Sequence, residues 1–507
     1  MLLKYSLLTI NSSLNCCKDI FLHLKYFAYF NYFSTLFFIN YIYYKFTHKL
    51  NIRLLNQLHY SINLNGCILI KFFQWIYTNI NILTINNVEN FDYLHILLGK
   101  FSENCPKHSI EYTKKIFKQD FNIDMDDVFD LDESYSIKSA SVAQVYKAKL
   151  KNNSTNLHLN NFGNFDISNN IAIKIVHPEL KYQKIMPMIF IKIYSFLTKY
   201  IYFIYKYIPY IDLDLFLKNL LNQFNMNNEY NNINYFYNTF IDNDYVLIPK
   251  PICCSKNILI MEFIDGEDFD NLDETELTKQ KIVILLNLFI KYNFFISDKY
   301  HCDLHNGNWK VQKYKDFYKI IIYDFGYVGV NNNHNVFKKI TFYQDLNDFK
   351  SLGKLLSEHV YYFNNEKIND INIFSDEFND YVNYYKKQKI DIVRIVYNFL
   401  FYKKLQVNSY ILELIISTIL IKNQLTAYVF PKLGYTNPND TIKINLIYIN
   451  FMEKYNIFPE LIEEIKTSHI ENDLFKEQYK YENKYFEKIL DDFIIEKNDN
   501  TYNSIDI

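Results

Sequence analysis

The segment Tyr300-His-Cys-Asp-Leu-His-Asn-Gly-Asn308, followed downstream by Ile321-Ile-Tyr-Asp-Phe-Gly326, decides the fold of this chain. The first piece spaces a histidine, a carboxylate and an amide as H-x-D-x-x-x-x-N, with Asp303 and Asn308 as the reactive pair. Phosphoryl transfer needs a carboxylate to orient or deprotonate an acceptor, and an oxygen donor nearby to hold Mg2+. This spacing supplies both. The second piece places Asp324 at the end of an apolar strand and just before a glycine, where a carboxylate can ligate a metal that bridges nucleotide phosphates. Either piece alone is weak. In this order and at this separation they reinforce one another.

Working upstream, Ile171-Ala-Ile-Lys174 sets a cation inside an apolar strand, where an unpartnered ammonium would be costly. Its expected partner is Glu229, on the long helix predicted over 212–240. Alone, Lys174 reads better as a lysine that snorkels at a strand edge, and the two downstream motifs in register reverse that preference. The β-branched alternation of Ser141 to Leu150, the run Ile171 to Val176 and the run Asn257 to Phe263 predict three strands. Residues 108–118 and 274–298 read as helices, and Asp120 to Asp132 as an acidic loop. The Asn-rich stretch 152–170 reads as an exposed insertion. Beyond 335 the pattern is helical to the end. Helices, then strands with one helix, then helices again suit a two-lobed α+β enzyme rather than a doubly wound sheet.

These pieces resemble the protein-kinase-like fold and, more narrowly, the UbiB (aarF-domain) family of atypical kinases, from about Lys71 to Leu356. Ser136-Ile-Lys-Ser-Ala-Ser-Val-Ala-Gln-Val-Tyr146 resembles that family's alanine-rich nucleotide loop, which stands in place of a glycine loop. Ile171 to Pro178 is similar to its lysine strand. Gln223-Phe-Asn225 with Glu229 and Asn232 is similar to its glutamate helix, Leu259 to Gly266 to its hinge, and Lys71-Phe-Phe-Gln74-Trp75 to its K-x-G-Q signature.

The resemblance implies a bilobal α+β fold and ATP with Mg2+ as cofactors. Lys174 and Glu229 would form an ion pair, and Ser139, Ala140, Ser141, Val142, Ala143 and Gln144 would cover the phosphates. Met261, Glu262 and Phe263 would hold the adenine. Asp303 would be the catalytic carboxylate, Asn308 and Asp324 the Mg2+ ligands, and Lys71 and Gln74 the family signature. It also implies ATP hydrolysis or phosphotransfer in ubiquinone biosynthesis or lipid handling, with a ubiquinone-biosynthesis complex or a lipid surface as partner. The implied location is a mitochondrion, inner-membrane associated, or a plastid.

This chain departs from the family at several points. The glycine of K-x-G-Q is Phe73, which puts close backbone approach there in doubt. The loop reads Lys138-Ser-Ala-Ser, with two alanines replaced. A Glu-x-Asp pair becomes Gln223 and Asn225, which leaves Lys71 less firmly held, and Tyr146 stands where many members have histidine. Cys302 reads as a small packing residue and His305 as a loop organiser.

Bulk composition adds exclusions. The chain has 507 residues, 49% hydrophobic, so most of it can bury a core. Only 9 glycines make a glycine-rich phosphate loop improbable. A net charge of −2 gives no basic field, and no nucleic-acid partner is expected. The 7 cysteines lack C-x-x-C spacing, which argues against zinc or a disulfide framework. The acid-poor, basic start resembles an organelle transit peptide, though composition drift produces the same pattern. Residues 26–44 carry no charge, but their tyrosines and asparagines favour a buried or interfacial aromatic helix over a membrane span.

The expected division is a targeting or helical segment at 1–60, an extension at 61–132, a kinase-like N-lobe at 133–265, a C-lobe at 266–470 and a charged tail at 471–507. Two other functions share parts of this pattern. One is a small-molecule phosphotransferase of the aminoglycoside/choline-kinase type. The other is a pseudokinase scaffold for a membrane-associated complex.

Overall fold

Strand β4 (Asn170–Val176) is buried along nearly its whole length, because its two neighbours cover its edges and its isoleucines alternate inward. It pairs antiparallel with β3 (Ala143–Leu150) on one side and β7 (Ile258–Glu262) on the other. The sheet is completed by β1 (Phe129–Leu131), β2 (Lys138–Ser139) and β6 (Pro251–Cys254), in the order β1-β3-β4-β7-β6 with β2 on β3. The computed structural model describes residues 2–79, 91–102, 107–132, 138–139, 142–151, 170–200, 218, 220–315, 317–331, 334–345, 347–362, 366–387, 392–408, 411, 448–449, 451–453 and 456–470.

The chain divides into two compact units. The first comprises Met1–Asn238, Pro249–Ile264 and Asp324–Tyr327, and the second the remainder. The first opens with α1 (Leu2–Thr47), α2 (Ile52–Asn65), α3 (Cys67–Asn79) and α4 (Phe91–Gly99). Phe30, Phe33, Ile62, Leu69, Ile70, Phe73 and Phe101 form the core of this helical part. The sequence reading caught only residues 26–44 of α1, which is one continuous helix. No helix among the described residues is long and apolar enough to cross a membrane.

Next come α5 (Ile110–Phe121) and α6 (Met125–Val128). Phe117, Met125 and Val128 pack on Tyr146, Ala148, Ile171, Ile173, Ile175, Ile258 and Ile260, so these helices cover one face of the sheet. The acidic stretch expected to be a loop therefore contains α6 and β1. Its Met125, Val128 and Phe129 are buried, and β1 pairs with the far end of β3. Helices α7 (Leu180–Gln183) and α8 (Ile185–Tyr200) follow β4. Helix α9 spans Met226–Phe240. The single helix predicted over 212–240 is thus interrupted by a turn at 223–225, and residues 212–217 lie outside the described residues.

The second unit contains β5 (Val246–Leu247), α10 (Glu276–Phe295) and β8 (Lys299–His301), then β9 (Trp309–Tyr314), β10 (Phe317–Ile322) and β11 (Val328–Val330). Here β10 lies between β5 and β9, and β11 pairs with β8. Helices α11 (His334–Asp345), α12 (Phe349–Ser357), α13 (Ile371–Lys386), α14 (Ile392–Lys403) and α15 (Pro459–Ile470) follow. Among the described residues, the helical pattern expected beyond 335 is broken by a short ribbon, β12 (Val360–Tyr362) with β13 (Leu405–Val407).

Candidate active site

In the first unit the pleat of β4 sorts its side chains. Ile171, Ile173 and Ile175 enter the core under α5, which leaves Ala172, Lys174 and Val176 on the opposite face. Strand register extends that face. Ala143 lies opposite Val176, Val145 opposite Lys174, Leu259 opposite Lys174 on the other side, and Met261 opposite Ala172. Val145, Ala172 and Leu259 were not singled out from sequence, although the period-two alternation contains the signal.

Lys174 Nζ donates to Glu229 Oε1 at 2.7 Å and lies 3.1 Å from Asp324 Oδ1. Lys174 and Glu229 are both buried. Burial works against the lysine's charge, but the two carboxylates outweigh it and raise its pKa. Glu229 is pushed up to about 7 by burial, against the pull of Lys174. Burial opposes ionisation of Asp324 too, yet Lys174, then Lys71, hold it well below the usual carboxylate range. The backbone at Asp324 is left-handed, with φ 49°, and the Gly326 N–H donates to Asp324 Oδ1 at 3.2 Å. Such a φ is tolerated by Asp more readily than by most residues. Helix α9 backs this turn. Asn232 donates to Phe325 O at 3.0 Å, and Phe236 packs against the Phe325 ring.

The other expected residues fall as follows. Lys71 lies on α3 near enough for its charge to act on both Asp324 and Glu229. Gln74 donates to Phe101 O at 2.7 Å and so ties α3 to the segment after α4. Phe73, where the resembled pattern has glycine, turns its ring into the helical core beside Phe33 and Phe101. Gln223 is buried close to Gly326. Asn225 Oδ1 accepts from the Asn227 N–H at 3.2 Å, and Asn225 therefore caps the start of α9.

Val142 and Ala143 are buried at the foot of β3, where Val142 O accepts from the His177 N–H. Gln144 lies opposite Ile175, so its side chain is on the face away from Lys174. It is occupied there: Gln144 Oε1 accepts from the His108 N–H at 2.9 Å, and its amide nitrogen donates to the Tyr146 hydroxyl. The part expected of Gln144 at the phosphates is one for backbone amides, and its side chain is engaged elsewhere. Ser139 lies in β2 with its backbone alone described, and Ala140 and Ser141 lie outside the described residues. At the hinge, the Glu262 N–H donates to Lys250 O and the Phe263 N–H to Asn170 O. Met261 is buried on the Lys174 face.

In the second unit the loop after β8 is organised by its own histidines. The buried His301 accepts the Asp303 N–H on Nδ1 at 3.1 Å, and His305 Nδ1 accepts the Gly307 N–H at 3.1 Å. Asn308 donates its amide N–H to Asp303 O at 2.7 Å. That bond uses the nitrogen and leaves the amide oxygen, the atom a hard cation takes. Cys302 is buried and packs. Among the described residues, no group of three or more His, Cys, Asp or Glu could hold a metal ion. The ionised carboxylate of Asp324 in the first unit and the amide oxygen of Asn308 in the second are each of the donor type that Mg2+ takes.

A lysine strand paired to a helical glutamate, an Asp-Phe-Gly turn and an H-x-D-x-x-x-x-N loop define a kinase-like protein. Residues 100–345 match the model of the ABC1 atypical kinase-like domain, and the chain is similar over this region to ABC1 and AarF domain-containing proteins. It is 26% identical over 275 residues to an ABC1 family protein of Schizosaccharomyces pombe, covering 52% of this chain and 46% of the relative. It is 26% identical over 243 residues to the ABC1 family protein MCP2 of Saccharomyces cerevisiae, covering 44% and 40%. To the AarF domain-containing protein kinase 1 of Mus musculus it is 22% identical over 229 residues, covering 44% and 40%. These alignments span less than half the length of each relative. Among solved structures, the Mycobacterium tuberculosis Rv3197–erythromycin complex is similar at 13% identity and a TM-score of 0.37, covering 64% of this chain and 84% of that one.

Proposed function

We propose that this chain binds Mg·ATP and works as an atypical kinase or ATPase in ubiquinone biosynthesis or lipid metabolism within a mitochondrion, a plastid-type organelle being the alternative. The observation that carries the reading is Lys174 held between Glu229 and Asp324, on the sheet face shared by Val145 and Met261.

Bound Mg2+ would neutralise charge on the phosphate oxygens. Glu229 keeps the Lys174 ammonium fixed, so that it can meet the α/β-phosphates without searching rotamers. Asn308 and Asp324 would be the metal's protein ligands. The backbone of residues 139–144 would cover the phosphates, and Met261 to Phe263 would border the base. Asp303, its backbone fixed by His301, would orient an acceptor or a water and take its proton. Lys71 and Gln74 would be the signature residues that α3 contributes.

A lipid surface is the partner that α1 supports. Phe21, Leu24, Phe27, Phe38 and Phe46 are exposed along it, with Lys18, Lys45, Lys49 and Arg53 exposed in the same region. Exposed aromatics with neighbouring cations suit a helix that lies in an interface. A mitochondrial location is supported by the relatives, which include an ABC1 family protein of S. cerevisiae named as mitochondrial.

The test is ATP turnover by the full chain, with and without lipid vesicles or a phenolic quinone-precursor mimic. Turnover should fall about 100-fold or more in Asp303→Asn, the scale expected when a general base is lost. Equal turnover in Asp303→Asn would contradict the assignment. Rapid stoichiometric phosphorylation of a small alcohol would transfer the chain to the choline-kinase type. Nucleotide binding without any turnover would make it a scaffold.

A further inference from the structure

The junction of α2 and α3 is built around a side chain from elsewhere in the chain. Gly66 closes α2 through its N–H to Asn63 O at 3.2 Å and opens α3 by accepting the Ile70 N–H at 3.1 Å. At φ 82° it is in the left-handed half of backbone space, and a Cβ there would come within 2.4 Å of Gln183 Oε1. That close approach requires glycine, in a chain with only 9. Gln183 Oε1 accepts the N–H of Cys67, the first residue of α3, at 2.9 Å. The orphan donor at a helix start is usually satisfied by a local Ser, Thr, Asn or Asp. Here the cap is imported across 116 residues.

The other end of the Gln183 amide is tied down as well. Its Nε2 donates to the Tyr26 hydroxyl at 3.2 Å and to Pro178 O at 3.4 Å. Tyr26 in turn donates to Glu179 Oε2 at 2.7 Å, on the same oxygen that receives Lys25 Nζ at 2.9 Å. Gln183 is buried, and it sits in the turn and short helix that directly follow the strand carrying Lys174. A local cap would let α3 settle independently. An imported one couples the start of α3 to the end of the lysine strand, and Lys71 stands one turn beyond the capped residue.

We propose that Gln183 is a positioning residue: by capping Cys67 from the segment after β4, it fixes where Lys71 stands relative to Asp324 and Glu229. The proposal deepens the nucleotide-site reading and depends on it only for what Lys71 does there.

The experiment is amine-acetylation footprinting of the full chain by mass spectrometry, well below the melting temperature, with the exposed Lys250 as internal reference. In Gln183→Met, which keeps the volume but loses both polar atoms, Lys71 labelling relative to Lys250 should rise several-fold. Tyr26→Phe should shift it the same way by less, and it carries the test if Gln183→Met does not fold. Unchanged Lys71 labelling in the folded variants, even with a lower melting temperature, would reduce Gln183 to a packing residue and overturn the proposal. Mg·ATP stabilisation is measured in parallel on the wild type. If Lys71 moves while the wild type shows no response to nucleotide, the positioning role stands and the nucleotide reading falls. If nucleotide stabilises the wild type while Lys71 does not move, the reverse holds.

Discussion

Lys174 Nζ and Glu229 Oε1 meet at 2.7 Å across 55 residues of sequence, with both side chains removed from water. Two ions taken out of water recover that cost only with close geometry and further partners. Lys174 has such a partner in Asp324, at 3.1 Å. The arrangement is therefore asymmetric: one lysine serves two carboxylates. Lys174→Met should cost about 3–5 kcal/mol, the scale for leaving a buried charge uncompensated. Glu229→Gln should cost clearly less, because Asp324 still neutralises the ammonium. Urea unfolding of the two variants against wild type measures the difference.

Two groups of the first unit give opposite pH dependences. Burial, helped by His177, lowers the His108 pKa to about 4 from the ordinary 6.5. The unfolded chain then binds more protons there, so this stabilisation is fully present above pH 6.5 and is lost as the pH falls toward 4. Glu229, raised by burial to about 7, takes up a proton in the folded state first. Its contribution weakens as the pH rises from about 4.5 to 7. Thermal melts of His108→Gln should therefore lack the rise in stability with pH that wild type shows between 4 and 6.5. Melts of Glu229→Gln should lack the opposing fall.

Phe73 replaces a glycine of the family pattern, yet its ring is part of the helical core. Phe73→Ala should destabilise by about 3–5 kcal/mol, as large-to-small core changes do. Phe73→Gly should cost about 1 kcal/mol more, since it also places glycine inside a helix. Restoring the family residue would thus weaken this protein, and chemical denaturation would show it.

Asn225 replaces an acid of the family pattern and caps α9 one turn before Glu229. Asn225→Ala should lose about 1 kcal/mol, whereas Asn225→Asp should be tolerated, since both residues cap well and an acid favours a helix start. Comparing their melting temperatures checks this.

Much of the site was legible because its chemistry is local or strongly patterned. The loop from His301 to Asn308 and the turn at Asp324 carry their reactive groups within a few residues. The alternation Ile-Ala-Ile-Lys announced both the strand and the odd cation. Other features depended on distant partners. Gln183 looks like one more polar residue on a short helix until Cys67 and Gly66 are beside it. The pairing of the Gln144 side chain with His108 and Tyr146 depends on α5 lying against the sheet, which no local pattern announces. The break before Met226 was hidden because an Asn-rich stretch serves a helix interior and a cap alike. Strand β1 is too short to show a period, and it exists because the edge of β3 is there to pair with it.

The central claim is that Lys174, Glu229 and Asp324 form the heart of a Mg·ATP site. The most direct measurement is the thermal shift of the full chain with ATP, with and without Mg2+, for wild type and Asp324→Asn. At a hundred-fold excess over Kd, ligand linkage should add about 2.7 kcal/mol to wild type when Mg2+ is present. Asp324→Asn should lose the Mg2+-dependent part of that gain while remaining folded, because Glu229 still pairs with Lys174. A wild type that nucleotide does not stabilise, or an Asp324→Asn variant stabilised equally by Mg·ATP, would contradict the account.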